Sequence, residues 1–204
     1  MAADGLLIGV LSDTHGTLDP RAYAALADCG HIIHAGDICD PAVLRELETL
    51  APVTAVLGNN DFPEYGAGVG RFARPVLGGV RFLVAHYPQD VEVGKLALGA
   101  SLGARRGLTP AGSAVPLGDG PLQPGDPIPA VCIHGHTHVP RLVFGAEARP
   151  AQYILNPGSV FRPRGGNPRS LAKVAVAGGQ VQGIRIESLD GETLASVGDL
   201  RLPV

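Results

Sequence analysis

Cysteine is scarce in this chain. Cys29, Cys39 and Cys132 stand far apart, and none forms a CxxC pair. Three single thiols argue against a disulfide framework and against a thiolate metal site. Lysine is scarcer, with two residues beside 14 arginines, and the net charge is −3. No basic excess exists to attract a nucleic-acid backbone, so no binding to a nucleic-acid duplex is expected. No apolar run approaches the roughly 18 residues of a membrane span. The opening "MAADGLLIGV" lacks the basic region and longer apolar run of a signal peptide. These gaps predict a soluble, cytoplasmic protein kept reduced, with no membrane partner. Repeats and clear linkers are absent too, which predicts one domain over residues 1–204.

What is present is an ordinary globular composition: 45% hydrophobic and 17% charged residues. Glycine (29) and proline (18) make up a little under a quarter of the 204 residues, so long loops on a folded core are expected. The first third alternates strand and helix signals. "LLIGVLS", "HIIHAG" and "PVTAVLG" are short apolar runs of the kind found in strands buried on both faces. Between them, Asp19-Pro20 and Asp40-Pro41 each offer an N-cap followed by proline at the first helical position. A parallel α/β core follows. Beyond residue 70 the pattern changes. "RPVLGGVRFLVAHY" reads as a hairpin through Gly78-Gly79, and "VEVGKLALGASLG" as a helix. Residues 103–129 read as a long loop, either a lid or a plain insertion. "AVCIH", "RLVFG", "QYILN", "SLAKVAVAGG" and "QVQGIRIESL" read as strands, giving a more antiparallel second half.

The unusual side chains fall at strand ends. Asp13 and His15 follow the first strand, Asp37 the second, and Asn59, Asn60 and Asp61 the third. His86 ends the hairpin strand, and "HGHTH" (His134, His136, His138) ends another. Carboxyl ends of parallel strands in one sheet share an edge, so these groups are expected to converge there. Alone, each motif is an ordinary cap, turn or core histidine. Together they offer nitrogen and oxygen donors of the kind that suit Mn, Fe, Zn, Co or Ni. D-x-H and H-x-H place both donors on one side of an extended segment. Seven candidate ligands, Asp13, His15, Asp37, Asn59, His86, His136 and His138, exceed one ion's usual share and fit two ions sharing a carboxylate. A single structural zinc does not suit so many oxygen donors and no cysteine.

This order, D-x-H, G-D, G-N-x-D, H and G-H-x-H, resembles the calcineurin-like metallophosphoesterase superfamily. "HAGDI", "GNND", "GHTHVP" and "NPGSVFRPRGG" resemble its small bacterial and archaeal phosphodiesterase branch, to which the eukaryotic retromer scaffold subunit is similar. The resemblance runs from Asp13 to about Val176. It implies an α/β fold of two packed mixed sheets flanked by helices, in four layers. It also implies two divalent ions, manganese first, with Ni, Co, Fe or Zn as alternatives. Asp13, His15 and His138 would hold one ion, Asn59, His86 and His136 the other, and Asp37 would bridge. The activity implied is phosphodiester hydrolysis by a bridging hydroxide on a small phosphoester substrate. The alternatives are a phosphomonoesterase, a nucleotide pyrophosphohydrolase, or a non-catalytic scaffold of the same fold. A homo-oligomer is an open expectation.

Asp37, Asn59 and Asn60 are the expected catalytic residues, the two amides as donors to phosphate oxygens. The family pattern often has His at position 60, and Asn cannot supply a proton as that His would. Tyr87 and Pro88 stand where glycine usually follows the lone histidine, either reshaping the substrate mouth or only the loop. His134 is expected to pack or turn, and His34 to support a neighbour or simply end a strand. Ser159 is expected to steady a ligating histidine. Arg162 and Arg164 are expected either to meet phosphate or to lie on the surface.

Overall fold

The computed structural model describes residues 5–62, 65–66, 68–91 and 118–202. The expected helix "VEVGKLALGASLG" beyond Val91, and the 103–117 part of the expected long loop, lie outside the described residues. Strand β1 (Leu6–Leu11) leads to helix α1 (Pro20–Ala25), β2 (His31–His34), helix α2 (Pro41–Glu48) and β3 (Val53–Ala55). Both helices start as their sequences dictate. The Asp19 side chain accepts from the Arg21 amide and the Asp40 side chain from the Ala42 amide, each with proline just inside. Strands β4 (Phe72–Ala73), β5 (Val76–Leu77) and β6 (Val80–Ala85) follow, then the short helix α3 (Pro88–Val91). The remainder is β7 (Val131–Ile133), β8 (Arg141–Phe144), β9 (Tyr153–Asn156), β10 (Ser170–Ala177), β11 (Gln180–Ser188) and β12 (Thr193–Gly198). Gly78-Gly79 joins β5 to β6 antiparallel, as expected.

The strands form two mixed sheets. One has the order β12-β11-β10-β1-β2-β3, the other β4-β6-β7-β9-β8 with β5 on β6. In the first, β1, β2 and β3 run parallel; in the second, β6, β7 and β9 do. The ligand-bearing strand ends therefore belong to two sheets, not to one shared edge. That corrects the single-edge expectation, while the two-sheet architecture implied by the family resemblance holds. Period-two alternation explains the sandwich. Ile8, Val10, Ile33, Val174 and Ile184 turn inward from one sheet, Phe82, Val84, Val131, Ile133 and Leu155 from the other, and they fuse into one buried core. Opposite residues of the first sheet, Leu11, Ile32 and Leu171, pack under Ala22, Val43, Leu44 and Leu47 of the two helices. On the outer face of the second sheet, Leu83 and Cys132 pack with Val91 of α3. Among the described residues, no helix is long and apolar enough to cross a membrane.

Candidate metal centre

The loops that leave the strands are laced to one another before any ligand is considered. Asp13 N–H donates to Gly36 O and His15 N–H to Asp37 O, both at 3.0 Å, joining the loops after β1 and β2. Gly135 N–H donates to His86 O at 3.0 Å, joining the loops after β6 and β7. Two contacts then tie one sheet to the other. His86 Nδ1 lies 2.8 Å from Ala35 O, and His136 N–H donates to Asp13 Oδ2 at 3.2 Å. The approach leaves no room for a side chain at two glycines. A Cβ on Gly135 would collide with Ser12 Oγ and one on Gly58 with Asp37.

All seven expected ligands meet in this gap. One donor atom each from Asp13, His15, Asp37 and His138 lies within 4.8 Å of the others. His138 Nε2 is 3.1 Å from Asp13 Oδ1 and 3.3 Å from His15 Nε2. His86 Nε2 is 3.2 Å from Asn59 Oδ1, and His136 Nδ1 is 2.8 Å from the same oxygen. Asp37 faces both groups: Oδ2 lies 3.8 Å from His15 Nε2 and Oδ1 lies 3.5 Å from His86 Nε2. Asp13, His15, Asp37, His136 and His138 all hold positive φ, between 46° and 69°. Non-glycine residues adopt this left-handed region at a cost, and such strain collects at functional sites.

Asp13 Oδ1 tests whether metal fits. It is fully buried and receives no hydrogen bond, although His138 Nε2 stands 3.1 Å away. A buried oxygen that accepts nothing is costly unless a cation meets it. The ring nitrogens support the same reading. His86 Nδ1 and His138 Nδ1 each lie against a carbonyl, Ala35 O and Arg162 O (2.5 Å for the latter), so each carries its proton there. That assignment turns an unprotonated Nε2 toward the carboxylates, as a ligating histidine requires. The donor set suits a bound cation: Asp13, His15, Asp37 and His138 each turn a donor atom to a common point, and Asn59, His86 and His136 lie beside them.

Electrostatics agree with a cationic guest. Burial works against the charge on Asp13, yet His138, His86 and Ser12 together hold its carboxyl below the ordinary value. Burial lowers His15 and His136, keeping them neutral donors, whereas the Asp13 carboxylate 3.1 Å away raises His138. Protons therefore compete with metal most strongly at His138.

The surrounding residues divide clearly. Asn60 does not present its amide outward: Nδ2 donates to Asp37 Oδ2 at 2.7 Å and its backbone N–H to Oδ1 at 2.9 Å. Asn59 turns its oxygen to the two histidines. Ser159 Oγ donates to Asp13 O at 2.9 Å and accepts from Phe161 and Arg162 N–H, so it steadies Asp13 and the loop behind His138 instead of a ring directly. His34, pushed down to about 4 by burial, sits 3.0 Å from Thr14 Oγ1 and accepts from Gly36 N–H. His134 is also buried, likewise pushed to about 4, with Nδ1 near Asn156 and Gly135 O and Nε2 without a partner. The Tyr87 ring stacks at a tilt 4.7 Å from His136 and 5.5 Å from His86, at the edge of the cluster.

Several supports escape a reading of residue types. Ser12 donates to Asp13 Oδ2 at 2.6 Å, Asp61 takes up Gly58 and Cys39 N–H, and Asn156 holds Gly135 O and Thr137 Oγ1. Asn156 stood in a quoted motif as a turn residue like any other, and Asp61 among the strand-end residues expected to converge, with no role of its own. Cys39 Sγ lies 3.7 Å from His15 Nδ1, and nothing in the spacing of the thiols foretold it.

Comparison with known proteins gives the family and the fold. A profile of the calcineurin-like phosphoesterase superfamily domain matches residues 6–179. A probable metallophosphoesterase of Methanothermobacter thermautotrophicus is 34% identical over 167 residues, 78% of this chain and 80% of that protein. Among solved structures, the Escherichia coli phosphoesterase YfcE superposes with a TM-score of 0.61 at 20% identity, over 95% of this chain and 99% of its own. Wild-type Vps29 of Entamoeba histolytica, crystallised with Zn2+, superposes with a TM-score of 0.62 at 19% identity, over 94% and 98%. These two likenesses show the fold.

Proposed function

The chain belongs to the calcineurin-like phosphoesterase superfamily, and on that premise we propose that it is a phosphodiesterase working through a dinuclear metal centre. The single observation that carries this reading is the buried, unpartnered Asp13 Oδ1 facing His138, with Asp37 turned to both halves of the cluster. Two bound dications would acidify a water to serve as nucleophile and place positive charge against the phosphoryl oxygens. The chain's own residues do the rest. Asp13, His15 and His138 would hold one ion; Asn59, His86 and His136 the other. Asn60 fixes both oxygens of Asp37, so the carboxylate cannot rotate away from its two neighbours. Ala35 O and Arg162 O hold the rings of His86 and His138 in the donating orientation. With Asn60 committed to Asp37 and unable to donate a proton to a leaving alkoxide, substrates with acidic leaving groups are favoured.

A second reading, a scaffold of the same fold, is favoured by the likeness to Vps29. Because that protein has been crystallised with Zn2+, bound metal alone does not separate the two readings. Hydrolysis does. Purified protein is analysed for metal, then assayed on bis- and mono-p-nitrophenyl phosphate and dinucleoside polyphosphates with Mn2+, Ni2+, Co2+ or Zn2+. The proposal expects metal-dependent cleavage of the diester above the monoester. Metal binding with no cleavage of any ester would leave the scaffold reading in its place, and preference for a monoester or polyphosphate would move the substrate class.

A further inference from the structure

The loop behind His138 carries positive charge that the metal scheme leaves unused. Arg162 and Arg164 are both exposed, and among the described residues neither guanidinium meets a carboxylate. Arg21, Arg71, Arg74 and Arg169, by contrast, each reach an aspartate within 4.0 Å. The backbone of the two free arginines is fixed on the metal cluster itself. Arg162 O accepts from His138 Nδ1, Arg164 N–H donates to His138 O at 3.1 Å, and Arg162 N–H donates to Ser159 Oγ at 2.9 Å. The Arg162 guanidinium rests 5.0 Å from the centre of the Phe161 ring, a cation–π contact that props it without neutralising it.

Charge balance says what such a pair is for. Two dications against the carboxylates of Asp13 and Asp37 already leave the centre positive enough for the single negative charge of a diester. Two further guanidiniums, each a planar fork matched to phosphate oxygens, exceed that need.

We propose that Arg162 and Arg164 form an anion subsite beside His138 that takes a second phosphate group of the substrate, so that the preferred substrates are phosphodiesters bearing an additional phosphate. This rests on the phosphoesterase reading and names the substrate class for the same centre. The side chains are specificity-determining, while their backbone positions His138.

A matched pair of chromogenic esters tests it: thymidine 5'-(p-nitrophenyl phosphate) with and without a 3'-phosphate. The scissile bond and leaving group are the same, and only the extra phosphate differs. Wild-type protein is expected to prefer the 3'-phosphorylated ester by about tenfold in kcat/KM, the scale of a charge-assisted contact. Raising the salt should shrink that preference. In the double variant R162A/R164A the ratio should fall to near one, and in R162K/R164K, which keeps the charge and loses the fork, an intermediate ratio should remain. Equal rates in the wild type, or an undiminished ratio in the alanine variant, overturn the subsite. If neither ester is cleaved with any metal, the phosphoesterase reading fails and the subsite is decided by calorimetry. Metal-free wild-type protein should then bind inorganic pyrophosphate about tenfold more tightly than R162A/R164A. Equal affinities would overturn the subsite on its own terms.

Discussion

Asp37 presents one oxygen to His15 and the other to His86, and Asn60 donates to both oxygens from the open side. Replacing the carboxylate by an amide keeps the shape but removes a charge and turns a donor toward donors. Asp37→Asn is therefore expected to lower turnover by more than about 10²-fold while the far-ultraviolet circular dichroism stays native. A variant that turns over near the wild-type rate takes Asp37 out of the scheme. Asn60→Ala leaves the charge and removes only the side-chain half of its support. It should weaken metal binding or activity by about 10–100-fold, read by metal titration beside the assay. These two positions also mark where residue-level reading of the sequence stops. Asp37 stood out only in company, because its Gly-Asp alone reads as a turn and the polar ends of several strands together pointed to a shared site. Asn60 was read as a donor to phosphate, because the sequence carries no trace of which oxygen an amide will choose.

At the scale of elements, local signals were strong where short-range chemistry decides. Asp19-Pro20 and Asp40-Pro41 predicted both helix starts, and Gly78-Gly79 predicted the hairpin, since caps and turns depend on neighbours in the chain. The cap at Asp19 also anchors a distant element. Its carboxylate accepts from the Arg21 amide and guanidinium and from Arg169 just before β10, contacts that pull its carboxyl far below the usual range. Asp19→Ala should cost about 1–2 kcal/mol, measured by chemical denaturation, and a loss under a few tenths would show the cap to be idle. Signals were weak where pairing is long-range. β12 (Thr193–Gly198), an edge strand of mostly exposed and half-buried residues, has no apolar run to announce it. The two-residue β4 and four-residue α3 are too short to carry a period. Ser12, Thr14 and Asn156 are fully buried polar residues that reach Ala35 O, His34 and Gly135 O, 23, 20 and 21 residues away, so nothing in their surroundings in sequence distinguishes them from surface turns.

Across the whole molecule, the centre lies where two sheets meet, so its protonation and its metal content should both be read in global stability. His34 and His134 are buried and held to about 4, below their value in the unfolded chain. A histidine whose folded pKa is depressed lets the unfolded state bind more protons between about pH 6.5 and 4. Metal-free protein should therefore keep the full contribution above about pH 6.5 and lose it as the pH falls toward 4. His134→Gln should flatten that slope in urea titrations, and an unchanged slope would assign the acid sensitivity elsewhere. Metal acts in the opposite sense, because the donors come from loops after β1, β2 and β3 of one sheet and β6 and β7 of the other. The unfolded chain holds no such constellation, so binding energy becomes folding energy. At about 100 times the dissociation constant an ion adds about 2.7 kcal/mol. For a chain of this size that is roughly 5–10 °C in Tm. Mn2+ should raise the Tm of chelator-treated protein by that order, whether or not the protein hydrolyses anything, and Asp37→Asn should blunt the rise. A melting curve indifferent to both metal and chelator would mean that the loops are held by their backbone hydrogen bonds alone, and that the unpartnered oxygen of Asp13 awaits no cation.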